Sequence, residues 1–142
     1  MNLVSVRLIT ADVDRLVDFY TRITGVVADR PVPDFAEVRT PAGTLALAST
    51  RTVGLFGPGA AEAAANRSAI VEFLVDDVDA TWARLQEWVT TAVAAPTTMP
   101  WGNRSLLLRD PDGNLVNLFS PTTSAAREKV SRHQRPAHEQ AG

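Results

Sequence analysis

Much of this chain is written twice. The stretch "SVRLITADVDRLVDFY", beginning at Ser5, aligns with "IVEFLVDDVDATWARL", beginning at Ile70, an offset of 65 residues. Ala11-Asp12-Val13-Asp14 then falls on Asp76-Asp77-Val78-Asp79. A second pair, "PAGTLALAS" from Pro41 and "PDGNLVNLFS" from Pro111, aligns at an offset of 70 and sets Pro41, Gly43 and Leu45 on Pro111, Gly113 and Leu115. Two matches at nearly one offset restrict the chain to folds built from two copies of one supersecondary unit.

Each copy reads as strand, helix, then three strands. Alternating apolar residues predict a first strand over about Leu3 to Thr10, and its counterpart over Ala69 to Asp76. Asp12 and Asp77 stand where a helix N-cap belongs. The helices are predicted over Val13 to Thr24 and Val78 to Thr90. Leu16, Phe19, Tyr20 and Ile23 form one stripe, and Gly25 ends the first helix. Val78, Trp82, Leu85 and Val89 form the second stripe, with Trp82 expected in the core. Proline-punctuated, β-branched runs follow: Val26 to Val32, Phe35 to Thr40 and Thr44 to Ser49, then Val93 to Thr98, Ser105 to Arg109 and Leu115 to Ser120. "DPDGN", from Asp110, is a strong turn signal before the last of them. The expected organisation is one domain over residues 1–121: module 1 at 3–50, a Gly/Ala/Pro-rich linker at 51–68 with a helical turn near Ala60 to Ala65, and module 2 at 69–121. Residues 122–142 read as a polar tail, a frayed helix or disordered.

With 45% hydrophobic and 21% charged residues and a net charge of -2, this is an ordinary globular composition that gives no electrostatic case for nucleic acid or an anionic membrane. There is no cysteine, so thiolate nucleophiles, thiolate metal sites and disulfides are excluded. No segment resembles a signal peptide or membrane span, and the cytoplasm is the expected address.

The duplicated βαβββ pattern, with "ADVDRLVDFYTRITG", "VDDVDA" and "PWGNRSLLLRDPDGNLVNLF", resembles the vicinal oxygen chelate superfamily of glyoxalases, extradiol dioxygenases and bleomycin- and fosfomycin-resistance proteins. The resemblance covers about residues 3 to 121. It implies an α+β fold, two tandem modules forming a curled mixed sheet around a cavity, and a homodimer. Metal-using members carry His or Glu ligands seven residues before each helix-start Asp and four residues past each turn Gly. Here those positions hold Ser5, Ile70, Leu47 and Asn117. None offers a carboxylate, imidazole or thiolate, and Ser and Asn are weak neutral ligands. The two histidines, His133 and His138, lie in the tail. The expectation is therefore no metal and no cofactor.

Alternation fills in the same faces: Leu3, Arg7 and Ile9 with Ser5, Glu72 and Leu74 with Ile70, and Leu115 and Phe119 with Asn117. The opposite faces (Val4, Val6, Leu8; Val71, Phe73, Val75; Val116, Leu118) are apolar and should pack under the helices. Arg7 and Glu72 occupy equivalent positions. An ion pair between them is expected, or else a role for either in orienting a polar ligand. Trp101 sits on a loop, as a ligand-stacking lid or a plug on the sheet edge. Phe56 in the linker is a further candidate for the entrance. The ligand-binding set is then Ser5, Arg7, Leu47, Ile70, Glu72, Trp101, Asn117 and Phe119. No Ser–His or Cys–His pair can be assembled, and Glu72 is the one candidate base. Three classes compete: a metal-independent binder of a small polar or aromatic molecule, an enzyme of lyase, isomerase or dioxygenase type, and an interaction protein with a vestigial cavity. The residues favour the binder.

Overall fold

In a computed structural model of the chain, residues 1–134 are described; His138 falls outside them. The elements in order are β1 (Ser5–Thr10), α1 (Val13–Thr24), β2 (Asp29–Val32), β3 (Phe35–Arg39), β4 (Thr44–Ser49), a short 3-10 helix (Thr50–Leu55), β5 (Ile70–Leu74), α2 (Val78–Leu85), β6 (Ala92–Thr98), β7 (Asn103–Arg109), β8 (Leu115–Pro121) and α3 (Ser124–Gln134). The two four-stranded sheets have equivalent orders, β1-β4-β3-β2 and β5-β8-β7-β6. In the first, β1 runs parallel to β4 and the other neighbours are antiparallel. The fold is α+β, two tandem βαβββ modules with mixed sheets that are curled and not closed.

The Asp-Val-Asp signal works as a helix start in both copies. Asp12 accepts a hydrogen bond from the Arg15 N–H, and Asp77 from the Ala80 N–H. Gly25, at φ 73°, closes α1 by donating to the Thr21 carbonyl. α2 stops at Leu85, short of the expected Thr90. Beyond it the Trp88 and Val89 N–H groups both turn back to the Leu85 carbonyl. The aromatic and β-branched run Trp88-Val89-Thr90-Thr91 pays χ1 entropy in a helix and favours that tight exit. Trp82 is half-buried; Val78 and Leu85 carry the α2 core. The linker's helical turn lies at Thr50–Leu55, where Ser49 caps it by accepting from the Arg51 N–H, and not near Ala60. The tail begins as α3, with an Arg132–Glu128 ion pair one turn apart.

Two compact units emerge: Met1–Ile70 with Arg109–Leu115, and Val71–Leu108 with the described residues from Val116 on. In the first unit the register pairs Leu8 with Leu47 and Val6 with Leu45, so these residues share one face with Ala36 and Val38. Leu8, Leu45, Leu47, Ala36 and Val38 are buried, and this is the face that meets the Leu16, Tyr20 and Ile23 stripe of α1. Val4 and Val6 begin the same alternation but stay 72% and 49% exposed, so the expected packing under the helix holds only from Leu8 on. In the second unit Leu106, Leu108, Val116 and Leu118 are fully buried. Arg104, in the same alternation as Leu106, reaches the α2 start and binds both carboxylate oxygens of Asp79, at 2.7 and 2.8 Å.

The "DPDGN" turn belongs to the first unit. Asp110 is buried at its centre. One carboxylate oxygen accepts from the Asp112 and Asn114 N–H groups at 2.9 Å each. The other accepts from the Asn114 amide and from the Tyr20 hydroxyl of α1, both at 2.7 Å. Gly113 takes φ 82°, which the turn requires and L side chains avoid. Burial, then the charge and hydrogen bond of Asp110, push the Tyr20 hydroxyl far above the usual tyrosine range, so it stays a donor.

Tyr20→Phe should lower stability by about 1–3 kcal/mol, because a buried carboxylate loses a donor that water cannot replace. Urea unfolding of the two proteins tests this, and a loss under about 0.5 kcal/mol contradicts it. A second expectation concerns acid. The hydrogen bond and charge of Arg104 hold the Asp79 carboxyl below 3.8. Its stabilisation is present in full above the unfolded value and fades as pH falls through the folded one. The stability gap between wild type and Asp79→Asn should be constant above about pH 5 and close below it. A gap that widens in acid would refute the assignment.

Candidate functional site

The sheet faces turned away from the helices carry the unusual polar residues. In the first unit, Arg7 stands in a row with Ala46 and Glu37, and Ile9 in a row with Ala48 and Phe35. Ala46 and Ala48 are small and buried. The Arg7 guanidinium lies over two rings, 5.1 Å from the Phe35 centroid and 5.2 Å from that of Phe56. Such stacking holds the guanidinium in place while leaving its edge N–H groups available. Glu37, the nearest carboxylate in that row, is taken by Arg39 at 2.7 Å, and Arg39 also reaches Asp29. Among the described residues Arg7 has no ion-pair partner.

Along β5, Ile70, Glu72 and Leu74 are exposed and alternate with the half-buried Val71 and Phe73. Asn117 and its face-mates Leu115 and Phe119 are half-buried, between the fully buried Val116 and Leu118. The faces assigned to β5 and β8 from alternation therefore hold. The Asn117 amide donates to the Glu72 carboxylate at 2.8 Å, which places the two on one face. Each of the two equivalent charges has a contact within its own unit: the Arg7 guanidinium packs on two rings, and the Glu72 carboxylate accepts from an amide.

Two other expectations change. The four-past-glycine spacing puts Leu47 on the face of Ser5, but the register sets Ser5 beside Thr44 and Leu47 beside Leu8. Leu47 is a core residue under α1, and Ala46 is the row neighbour of Arg7. The copies differ by one residue of phase between first strand and turn, and a one-residue shift exchanges faces. Trp101 is 68% exposed and plugs nothing within its unit. Its loop is held firmly: the Gly102 carbonyl accepts from both the N–H and the hydroxyl of Thr122, at 2.8 and 2.9 Å. Sequence reasoning missed Phe35, Glu37 and Ser105. The alternation Phe35-Glu37-Arg39 was the available signal for the first two.

These residues stand on a recognisable scaffold. The profile of the Glyoxalase/Bleomycin resistance protein/Dioxygenase superfamily matches residues 2–118. The chain belongs to this superfamily. Solved structures agree on the fold. A glyoxalase/bleomycin resistance protein/dioxygenase family enzyme from Burkholderia phytofirmans superposes with a TM-score of 0.74 at 20% identity, covering 85% of this chain and 99% of that one. A glyoxalase/bleomycin resistance protein/dioxygenase from Nocardioides gives 0.70 at 23%, covering 87% and 85%. A glyoxalase-related enzyme from Fulvimarina pelagi gives 0.71 at 17%, covering 84% and 87%. No curated protein matches.

The superfamily's metal positions can be tested against the residues present. Ser5 is exposed, Leu47 is core, Ile70 is an exposed alkyl group, and Asn117 spends its NH2 on Glu72. No group of three or more His, Cys, Asp or Glu side chains converges among the described residues. One carboxylate with an amide oxygen is too little charge and too few donors for a divalent ion. The residues do not fit the metal. No helix of the described residues is long and apolar enough to cross a membrane.

Manganese, iron(II), nickel or zinc added to the purified protein should leave its unfolding temperature unchanged, since a ligand specific to the folded state must raise it. A saturable rise with any of the four would reinstate a metal site.

Proposed function

We propose that this superfamily member binds a small organic anion with an aromatic or planar body, without a metal ion, and that Arg7 is its charged anchor. The observation that carries this reading is a guanidinium flanked by two phenyl rings and left without a counterion among the described residues. Here the rings supply the order, and a ligand carboxylate would supply the charge through two parallel N–H···O bonds. Phe56, 69% exposed, and the half-buried Phe35 provide apolar surface for the body of the same ligand. The donor set at the superfamily's metal positions is consistent with this, since a ligand held by arginine needs no Lewis acid.

Benzoate is the probe. In NMR titrations its resonance shifts should be saturable and centred on Arg7, Phe35 and Phe56. Arg7→Gln, which keeps length and polarity but removes the charge, should weaken binding about tenfold or more, the worth of a charge-assisted pair. Absence of saturable shifts, or equal affinity in the variant, would end this reading.

A further inference from the structure

The second unit carries a feature that an arginine anchor does not explain. Among the described residues four buried side-chain polar atoms have no hydrogen-bond partner: Asn103 Oδ1, Ser105 Oγ and Asn117 Oδ1 in this unit, and Asp112 Oδ2 in the turn of the first. Asn103, Ser105 and Asn117 belong to β7 and β8 and share one face. Along β7, Leu106 and Leu108 are fully buried and Arg104 reaches Asp79 of α2, so Asn103, Ser105 and Leu107 turn the other way. Along β8, Val116 and Leu118 are fully buried and Asn117 turns the other way. The bonds from Asp110 N–H to Asn114 O and from Thr122 N–H to Gly102 O bracket the β7–β8 ladder in a single register. Leu107 then stands opposite Asn117, and Ser105 opposite Phe119. Ser105 and Asn117 are thus diagonal neighbours, close enough for one small group to touch both.

The chemistry of the three groups points one way. A carboxylate can only accept, so Asn117 must turn its NH2 to Glu72 and its oxygen away. That oxygen is an acceptor with nothing to accept from. Ser105 is 98% buried, with a relative exposure of 2%, and its hydroxyl is unpartnered. Glu72 is exposed and has no ion-pair partner among the described residues. The face offers one negative charge, an amide oxygen and a hydroxyl. A divalent ion would remain under-neutralised there, whereas an ammonium group carries one positive charge and several N–H donors.

We propose that the Glu72–Asn117–Ser105 face is a binding site for a protonated amine. Glu72 balances its charge, and Asn117 Oδ1 and Ser105 Oγ accept two of its N–H donors. The site goes beyond the arginine anchor and does not rest on it, since every residue it uses lies in the second unit.

The test uses the full chain and three probes of one shape in NMR titrations. Benzylamine should give saturable shifts at Glu72, Ser105 and Asn117. Benzyl alcohol, without the charge, and benzyltrimethylammonium, without N–H donors, should each bind at least tenfold more weakly. Glu72→Gln should weaken benzylamine about tenfold, and Ser105→Ala about fivefold. Ser105→Ala should also leave the urea midpoint unchanged or raised, because the hydroxyl it removes makes no internal bond. The proposal is overturned if benzylamine fails to saturate, if the alcohol or the quaternary amine binds as well, or if Glu72→Gln binds equally. It is equally overturned if Ser105→Ala lowers stability while leaving benzylamine affinity intact. Benzoate binding through Arg7 is a separate readout, so either site can fail alone.

Discussion

A buried carboxylate organises this molecule. Asp110 lies inside the first unit, where an unpaired charge would cost several kcal/mol, so its lone pairs must all be used. Three of its donors come from its own turn, two N–H groups and the Asn114 amide. The fourth is the Tyr20 hydroxyl of α1, 90 positions away in the chain. The same turn fixes where the β7–β8 hairpin begins, and so decides which side chains of those strands face α2 and which face the opposite way. Had the turn closed one residue later, Asn117 would point into the core and Val116 out of it. The face opposite α2 is therefore a consequence of Asp110 and Gly113 as much as of its own residues.

Where sequence and structure agree, local chemistry decides the outcome. α1 runs over the residues expected, because an Asp cap, an apolar stripe and a left-handed glycine each act within one turn of the residue concerned. The sides of β5 and β8 follow from alternation, which is equally local. The failures are not local. Leu47 was placed by counting from a glycine, but its side is set by the parallel pairing with β1, and that register is read only in three dimensions. The contacts of Arg7 and Glu72 within their own units, two rings and an amide, are likewise set by neighbours distant in sequence, which the repeat does not reveal. Ser105 gave no signal at all, since an isolated serine in an apolar strand becomes unusual only when nothing is found to bond it.

The two copies divide cleanly between what they keep and what they vary. Both keep the N-cap aspartate, bonded to the N–H three residues on, and both keep a helix-facing apolar side. On the side away from the helix the copies differ: arginine against glutamate, and alanine in the row of Arg7 against asparagine beside Glu72. Folding constrains the first set in the same way twice. The second set is free of that constraint, which is why it can acquire opposite charges without disturbing either sheet.

Asp110 and Asn117 are two different kinds of buried polar group. Asp110 is a costly group whose every bond is made inside the protein, and its role is structural. Asn117 and Ser105 are costly in the opposite way, since each buries a polar atom and leaves it unmatched, at about 1–3 kcal/mol per group. Stability alone does not retain such groups, and breaks in local consistency concentrate at functional sites. The unmatched oxygens of Asn117 and Ser105 are therefore the ground on which the amine site is proposed, and the fully bonded Asp110 is no part of it.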